Sequence, residues 1–413
     1  MNIYTLIVLG ALLGGYLLSL AASLLNLRSL SPELPKEFLG SYDSDTYARS
    51  QEYTRARTRL GLVSEAFNIS ILIIFWQVGG FNWLDQLVRS LAFGPILTGL
   101  FYIGSLSLSS TIVGLPFKLY ATFTIEEHFG FNRTSKKTFW SDLAKGLLLS
   151  ITLGGPLLGA ILFFFMWTGD TAWLWCWGVT ALFVLFAHFI APTWIMPLFN
   201  TFTPIETGEL REAILSYARS VSFPLQGIFV IDGSRRSTKA NAFFTGFGKN
   251  KRIALFDTLL KRQTTEELVA IVAHEVGHYK FNHVRNSMIL GILHFGVVFL
   301  LLSFFLGSQS LFDAFFLEKR SVYAGLVFFT LLFTPIETVL SLLANAYSRR
   351  NEFQADRFAA LTTSQAKPLI TALKKLSTDN LSNLTPHWLE VFLNHSHPPI
   401  LKRIDALRAV KGE

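Results

Sequence analysis

The sequence is nearly devoid of cysteine: its 413 residues contain only Cys176, placed inside an apolar run. One thiol excludes an internal disulfide and any cysteine-based zinc site. Charge is scarce too, at 15% of residues, where a soluble domain carries about 25%. A chain with so little charge cannot cover a water-facing surface of this length. Hydrophobic residues take its place: they make up 51% of the chain and include 39 Phe. This is the composition of a membrane protein.

The first apolar run, residues 3–27, is long enough to span a bilayer. It lacks a basic n-region and a clear cleavage site, and Arg28 follows it, so it reads as an uncleaved anchor. Further runs at 62–83, 91–122, 147–168, 173–199, 288–306 and 322–347 bring the total to about seven spans. The expected fold is an all-α polytopic bundle with a small cytosolic α+β insert. The expected division is five spans in 1–198, the insert in 199–286, two spans in 287–347 and a helical tail in 348–413.

Of the 36 Lys and Arg, six lie in 28–59, five in 118–145, twelve in 199–286 and ten after 346. Only Arg89, Lys319 and Arg320 lie on the alternate loops. This asymmetry puts the N-terminus outside and the insert and tail in the cytoplasm. It also accounts for the +8 balance without nucleic acid, since the charge serves topology and anionic headgroups.

The segment EELVAIVAHEVGHYKFNHVRN contains His274-Glu275-Val276-Gly277-His278 in a helical pattern with no Pro. Histidines four apart project from one helix face and suit one Zn²⁺, and Glu275 beside them is placed to take a proton from an activated water. Gly277 is expected to leave the approach open. The alternative is a pair of ordinary helix histidines. The rest of the insert predicts a helix over TPIETGELREAILSYARSV with Pro and acidic residues in its first turn. Strands are predicted at GIFVID, AFFTGFG and KRIALFD. A strand pair before a metal-binding helix suits an extended peptide lying along 242–247; an ordinary α+β insert fits the pattern equally.

A catalytic zinc needs a third protein ligand. The motif runs almost directly into the sixth span, and the seventh returns to the same side as LLANAYSRRNEFQADRFAA. Glu352 and Asp356 share one helical face there. Alone, that run suits pairing with Arg349, Arg350 and Arg357. Set opposite the histidines by topology, Glu352 becomes the expected third ligand and Asp356 the group behind a ligand His.

Beyond the zinc motif, YATFTIEEHFGFNRTS, PTWIMPLFNTFTPIE, DGSRRSTKANAFFTGFG, KRIALFDTLL, SRRNEFQAD and NHSHPPILKRI resemble segments of the type I CAAX prenyl endopeptidases, which are integral-membrane zinc proteases. The resemblance implies seven spans around an intramembrane chamber, with one zinc per chain on His274, His278 and Glu352 and with Glu275 as general base. It also implies that Asn241 and His397 face substrate and that Arg403 lies close by, whereas His283 and His294 are structural. Asn241 as turn chemistry and His397 as a helix end before Pro398 are the plainer alternatives.

The implied partners are the bilayer and a peptide or protein substrate, possibly lipidated. The short link between spans six and seven, about fifteen residues, and the tail RAVKGE point to a bacterial cytoplasmic membrane. There, broad turnover of membrane proteins is the alternative role. A metal transporter is a third reading, disfavoured because its ligands would sit near mid-membrane. Glu65 and Glu337, inside spans, read either as chamber-lining groups or as interhelical partners. The hexamer FTPIET, at 202–207 and 333–338, has no repeated surroundings and reads as coincidence.

Overall fold

A computed structural model describes residues 2–245 and 251–410. Its first seven helices are α1 (Ile3–Arg28), α2 (Ser44–Gln77), α3 (Gly80–Ser90), α4 (Pro95–Tyr120), α5 (Lys136–Leu149), α6 (Gly155–Trp167) and α7 (Ala172–Ile190). The insert follows, with β1 (Phe202–Pro204), α8 (Glu209–Ser220), β2 (Leu225–Ile231), β3 (Ala242–Thr245), β4 (Lys251–Phe256), α9 (Asp257–Leu260) and α10 (Thr265–Lys280). Then come α11 (His283–Phe305), α12 (Gln309–Asp313), α13 (Val322–Thr362), α14 (Lys367–Asp379), α15 (Trp388–Asn394) and α16 (Ile400–Arg408).

Among the described residues, seven segments are long and apolar enough to cross a membrane: Ile3–Arg28, Ser44–Gln77, Pro95–Glu126, Lys136–Trp167, Gly169–Leu198, His283–Phe305 and Val322–Thr362. Three of them contain a wider, π-type turn, at Ala121–Glu126, Ser150–Gly154 and Ala191–Ile195. The spans form a closed series: α1 packs on α2, α2 on α4, α4 on α6, α6 on α7, α7 on α11, α11 on α13, and α13 returns to α1 while also packing across on α4 and α6. Only 6–22% of each span's most apolar stretch is buried. Most of that apolar surface is therefore left for contact with lipid or with a space between the spans.

Several boundaries differ from expectation. The second span does not reach Trp83. Gly79 takes a left-handed conformation (φ 77°) that ends α2, and α3 starts anew. Phe81, Leu84 and Val88 recur there at helical spacing and are buried, so α3 lies against the bundle. Pro204 is not in a first helical turn but ends β1. The helix begins only after Gly208, with Glu209 and Glu212 in its first turn. The fourth span starts at Lys136, before the apolar run itself.

The end of the bundle far from the insert is closed by α3 and α12. Trp76 stacks on Phe315 at 4.5 Å and donates its indole N–H to the carbonyl of Ala314 at 2.8 Å. Phe315 stacks on Phe328 at 4.0 Å. Buried Asp85 accepts from Tyr323 (2.5 Å) and Arg89 (2.7 Å). Glu65 accepts from Ser19 on the first span at 2.8 Å. Glu337 lies 3.3 Å from His294 on the sixth span, and both line a cavity of about 650 Å³ between α11 and α13.

In the insert, the sheet order is β1-β2-β4-β3, with β2 and β4 parallel and both outer pairs antiparallel. Strand β3 therefore has one unpaired edge among the described residues. Residues 246–248 of the expected strand, like 411–413 of the tail, lie outside the described residues. Helix α10 is the buried centre of this region, packed on α8, α13, α14 and β3. Lys239, just before β3, donates to the Tyr53 hydroxyl (2.6 Å) and the Glu126 carboxylate (3.0 Å), which ties the insert to two spans.

Trp76→Ala should lower stability by about 3–5 kcal/mol, read as a drop in thermal unfolding temperature in detergent. Metal affinity should not change, because Trp76 packs at the end of the bundle far from the insert.

Candidate metal centre

The local sequence starts α10 firmly. Thr264 caps the helix: its hydroxyl faces the Glu267 amide at 3.4 Å, and Glu267 reaches back to the Thr264 amide at 2.8 Å. Two turns on, His274 and His278 project together, their Nε2 atoms 3.1 Å apart. Glu352 of α13 places Oε2 3.5 Å from His274 Nε2 and Oε1 3.3 Å from His278 Nε2.

Three lone-pair donors thus converge from two helices, their ligand atoms within 4.8 Å of one another. A tetrahedral divalent ion with bonds of about 2.0–2.1 Å sets its donors about 3.3–3.4 Å apart. The three residues fit such an ion.

The expectation for Gly277 is corrected. It does not open the approach but is the contact point of two helices. A Cβ built there would meet Ala355 Cα at 3.0 Å, its carbonyl oxygen at 3.2 Å and its Cβ at 3.3 Å. Backbone against backbone at this distance brings Glu352 within reach of both histidines.

Behind the donors, Asp356 Oδ1 lies 2.9 Å from His274 Nδ1, too oblique for a hydrogen bond but close enough for an ionic contact. Arg403 of α16 grips Asp356 with two bonds, from Nε at 2.8 Å and Nη2 at 2.6 Å. Its Nη1 lies 3.4 Å from Glu352. The nearer arginine Arg349 donates instead to the carbonyls of Val391 and His395. His397, in the turn before α16, places Nε2 3.4 Å from Glu352 Oε1 while its Nδ1 meets the Ser396 hydroxyl at 3.0 Å. Asn241 accepts at Oδ1 from the Ala242 amide (2.9 Å), turn chemistry that leaves its amide nitrogen free of that bond.

Asn241, His274, Glu275, Glu352, His397 and Arg403 all line one cavity of about 230 Å³. His278 faces it only through the donor cluster, and Asp356 lies buried behind. Burial pushes the Glu275 carboxyl above its ordinary range, with Glu352 adding to the shift.

The sequence profile of the CAAX prenyl protease N-terminal region, with five membrane helices, matches residues 23–201, and that of peptidase family M48 matches 204–411. The chain belongs to peptidase family M48. It is 38% identical to a CAAX prenyl protease 1 homolog of Oryza sativa subsp. japonica over 91% of this chain and 90% of that one. Against the Arabidopsis thaliana homolog it is 37% identical, over 94% of each. The crystal structure of S. mikatae Ste24p superposes with a TM-score of 0.90 at 32% identity, covering 98% of this chain and 99% of that one. His274, His278 and Glu352 are the metal site of this M48 peptidase.

Reading the sequence of this M48 peptidase left His283 as structural and passed over Gln354. The structure sets His283 against the ligand His278, Nδ1 to Nδ1 at 3.0 Å. The available signal was a histidine five residues past a ligand.

Two predictions follow from the geometry. Gly277→Ala should cost about 1–3 kcal/mol through overpacking and reduce metal content, measured by elemental analysis. The second concerns protons. Burial alone would lower the pKa of metal-free His274, but Asp356 and Glu352 carry it up to about 9. The ring is therefore protonated at neutral pH, and a metal must displace that proton. Apparent affinity should rise about tenfold per pH unit between about pH 7 and pH 9 and then level off, with roughly one proton released at neutral pH. Calorimetry in two buffers of different ionisation enthalpy counts it.

Proposed function

We propose that this M48 peptidase is an integral-membrane zinc endopeptidase that hydrolyses a peptide bond near the C-terminus of prenylated, CAAX-type substrates at the cytoplasmic face. The observation that carries the reading is one small cavity lined by His274 and Glu352 of the donor set, Glu275, His397 and the start of β3, with His278 completing the donor set beside it. Two imidazoles and one carboxylate, with no thiol, form the ligand set of a hydrolytic zinc with an open fourth position. Bound there, zinc supplies Lewis acidity toward a carbonyl and a water.

The other roles belong to the chain. An extended substrate adds along the unpaired edge of β3, which sets its backbone beside α10. Glu275, half-buried and with its pKa raised, is suited to take a proton from the attacking water and pass it to the leaving amine. His397, more exposed than the ligands, donates to the carbonyl oxygen as charge develops, and the amide of Asn241 holds the adjacent backbone. Arg403 and Asp356 keep Glu352 and His274 in place.

The Lys/Arg asymmetry supports the cytoplasmic orientation. The short link of residues 306–321 supports a bacterial cytoplasmic membrane, although the relatives named above are eukaryotic. Transport of metal is disfavoured because α10, which carries both histidines, is not among the candidate spans.

The test uses purified protein and a pair of peptides, one ending in a farnesylated CAAX sequence and one unmodified. Glu275→Gln should keep its metal and lose about 10²–10⁴-fold in cleavage. His397→Ala should keep its metal and lose about 10²–10³-fold in kcat. Preference of the wild type for the farnesylated peptide supports CAAX processing. Equal cleavage of both would point instead to broad turnover, and absence of cleavage would sink the hydrolase reading.

A further inference from the structure

The two ligand imidazoles are backed by opposite kinds of partner. Behind His274 stands a charged pair, Asp356 with Arg403. Behind His278, among the described residues, the partner is another imidazole and not a charged group. The Nδ1 of His278 lies 3.0 Å from His283 Nδ1, and His283 Nε2 lies 3.0 Å from Gln354 Oε1. His283 is 5% exposed, and its ring stacks on Phe281 with centroids 5.6 Å apart.

The backbone is shaped to put it there. Helix α10 stops at Lys280, and Asn282 turns the chain through a left-handed conformation (φ 56°) that asparagine tolerates. His283 then opens α11 with its ring folded back against α10.

The hydrogens along this chain have one consistent arrangement. His278 offers its Nε2 lone pair to the metal, so its hydrogen sits on Nδ1 and is donated to Nδ1 of His283. That atom must then be a bare acceptor, which places the His283 hydrogen on Nε2, donated to the Gln354 amide oxygen. His283 accepts once and donates once, and no group in the relay carries a charge.

We propose that His283 and Gln354 are positioning residues of the metal site: a neutral two-step relay that fixes the ring plane and tautomer of His278. A neutral acceptor also leaves His278 less electron-rich than a carboxylate would, so one ligand is charge-backed and the other is not. The relay joins three elements, α10, α11 and α13, at one ligand. Glu352, Gln354 and Asp356, at alternate positions of α13, supply the third ligand and the backing for each histidine.

The test loads metal-free protein in detergent with cobalt(II) and reads both affinity and visible absorption. His283→Leu should weaken cobalt binding ten- to a hundredfold and change the d–d bands. His283→Asn keeps an oxygen acceptor near the Nδ1 position and should recover most of the loss. Gln354→Leu should fall between wild type and His283→Leu. The proposal is overturned if His283→Leu and Gln354→Leu bind cobalt with wild-type affinity and spectrum, or if His283→Asn is as impaired as His283→Leu. A drop in metal-free melting temperature with unchanged cobalt affinity also overturns it. Should His283→Leu fail to fold, half-buried Gln354→Leu decides by the same two readouts. A wild type that takes up no cobalt overturns the metal site and the relay together.

Discussion

The metal site depends on how closely α10 crosses α13. Gly277 presents bare backbone between two ligand histidines, and Ala355 presents a single methyl between the third ligand and its neighbours. With both residues small, the helices touch, and donors from separate segments come within 3.5 Å. A larger residue at either position would hold the axes apart, and the separation would appear in full at the metal because the ligands lie within one turn of the contact.

Helix α13 extends that local contact to the scale of the whole molecule. Its 41 residues measure about 60 Å, roughly twice the hydrocarbon thickness of a bilayer. At one end Tyr323 is held by Asp85 in the closed outer cap. At the other, Glu352 meets the histidines. One rod therefore fixes the height of the metal relative to the spans. Along it Thr330, Thr334, Glu337, Thr338 and Ser341 line the larger cavity together with His294. The Thr and Ser hydroxyls bond carbonyls of their own helix, and Glu337 is met by His294, so the polar groups of this membrane helix are satisfied within the protein. Glu65 and Glu337 each have an interhelical partner, Ser19 and His294.

Legibility in the sequence followed the range of the physics. The seven apolar runs announce the spans because bilayer thickness imposes a length on any crossing helix. The capping box at Thr264 and the four-residue spacing of the histidines are likewise local, and α10 appears where they place it. Errors arose where composition and backbone geometry part company. The apolar run through Trp83 hides the break at Gly79, whose positive φ leaves no hydrophobic mark. The apolar run from 147 conceals the polar start of the fourth span at Lys136, because a helix continues past the hydrophobic window that detects it.

By itself, the sequence determined a membrane chain of seven spans with one inserted α+β unit, two metal-binding histidines with an adjacent carboxylate, and a second carboxylate on the returning span. Each of these is a periodicity or a spacing, set by neighbours a few residues apart. Only the tertiary structure decided that Gly277 is a crossing point and that Arg403, not Arg349, neutralises Asp356. It also decided that His283 and Gln354 stand behind His278. Those pairings join residues 47, 78 and 71 positions apart in sequence. Contacts of that kind are chosen by how helices pack, and packing is a property of facing surfaces that no single segment encodes.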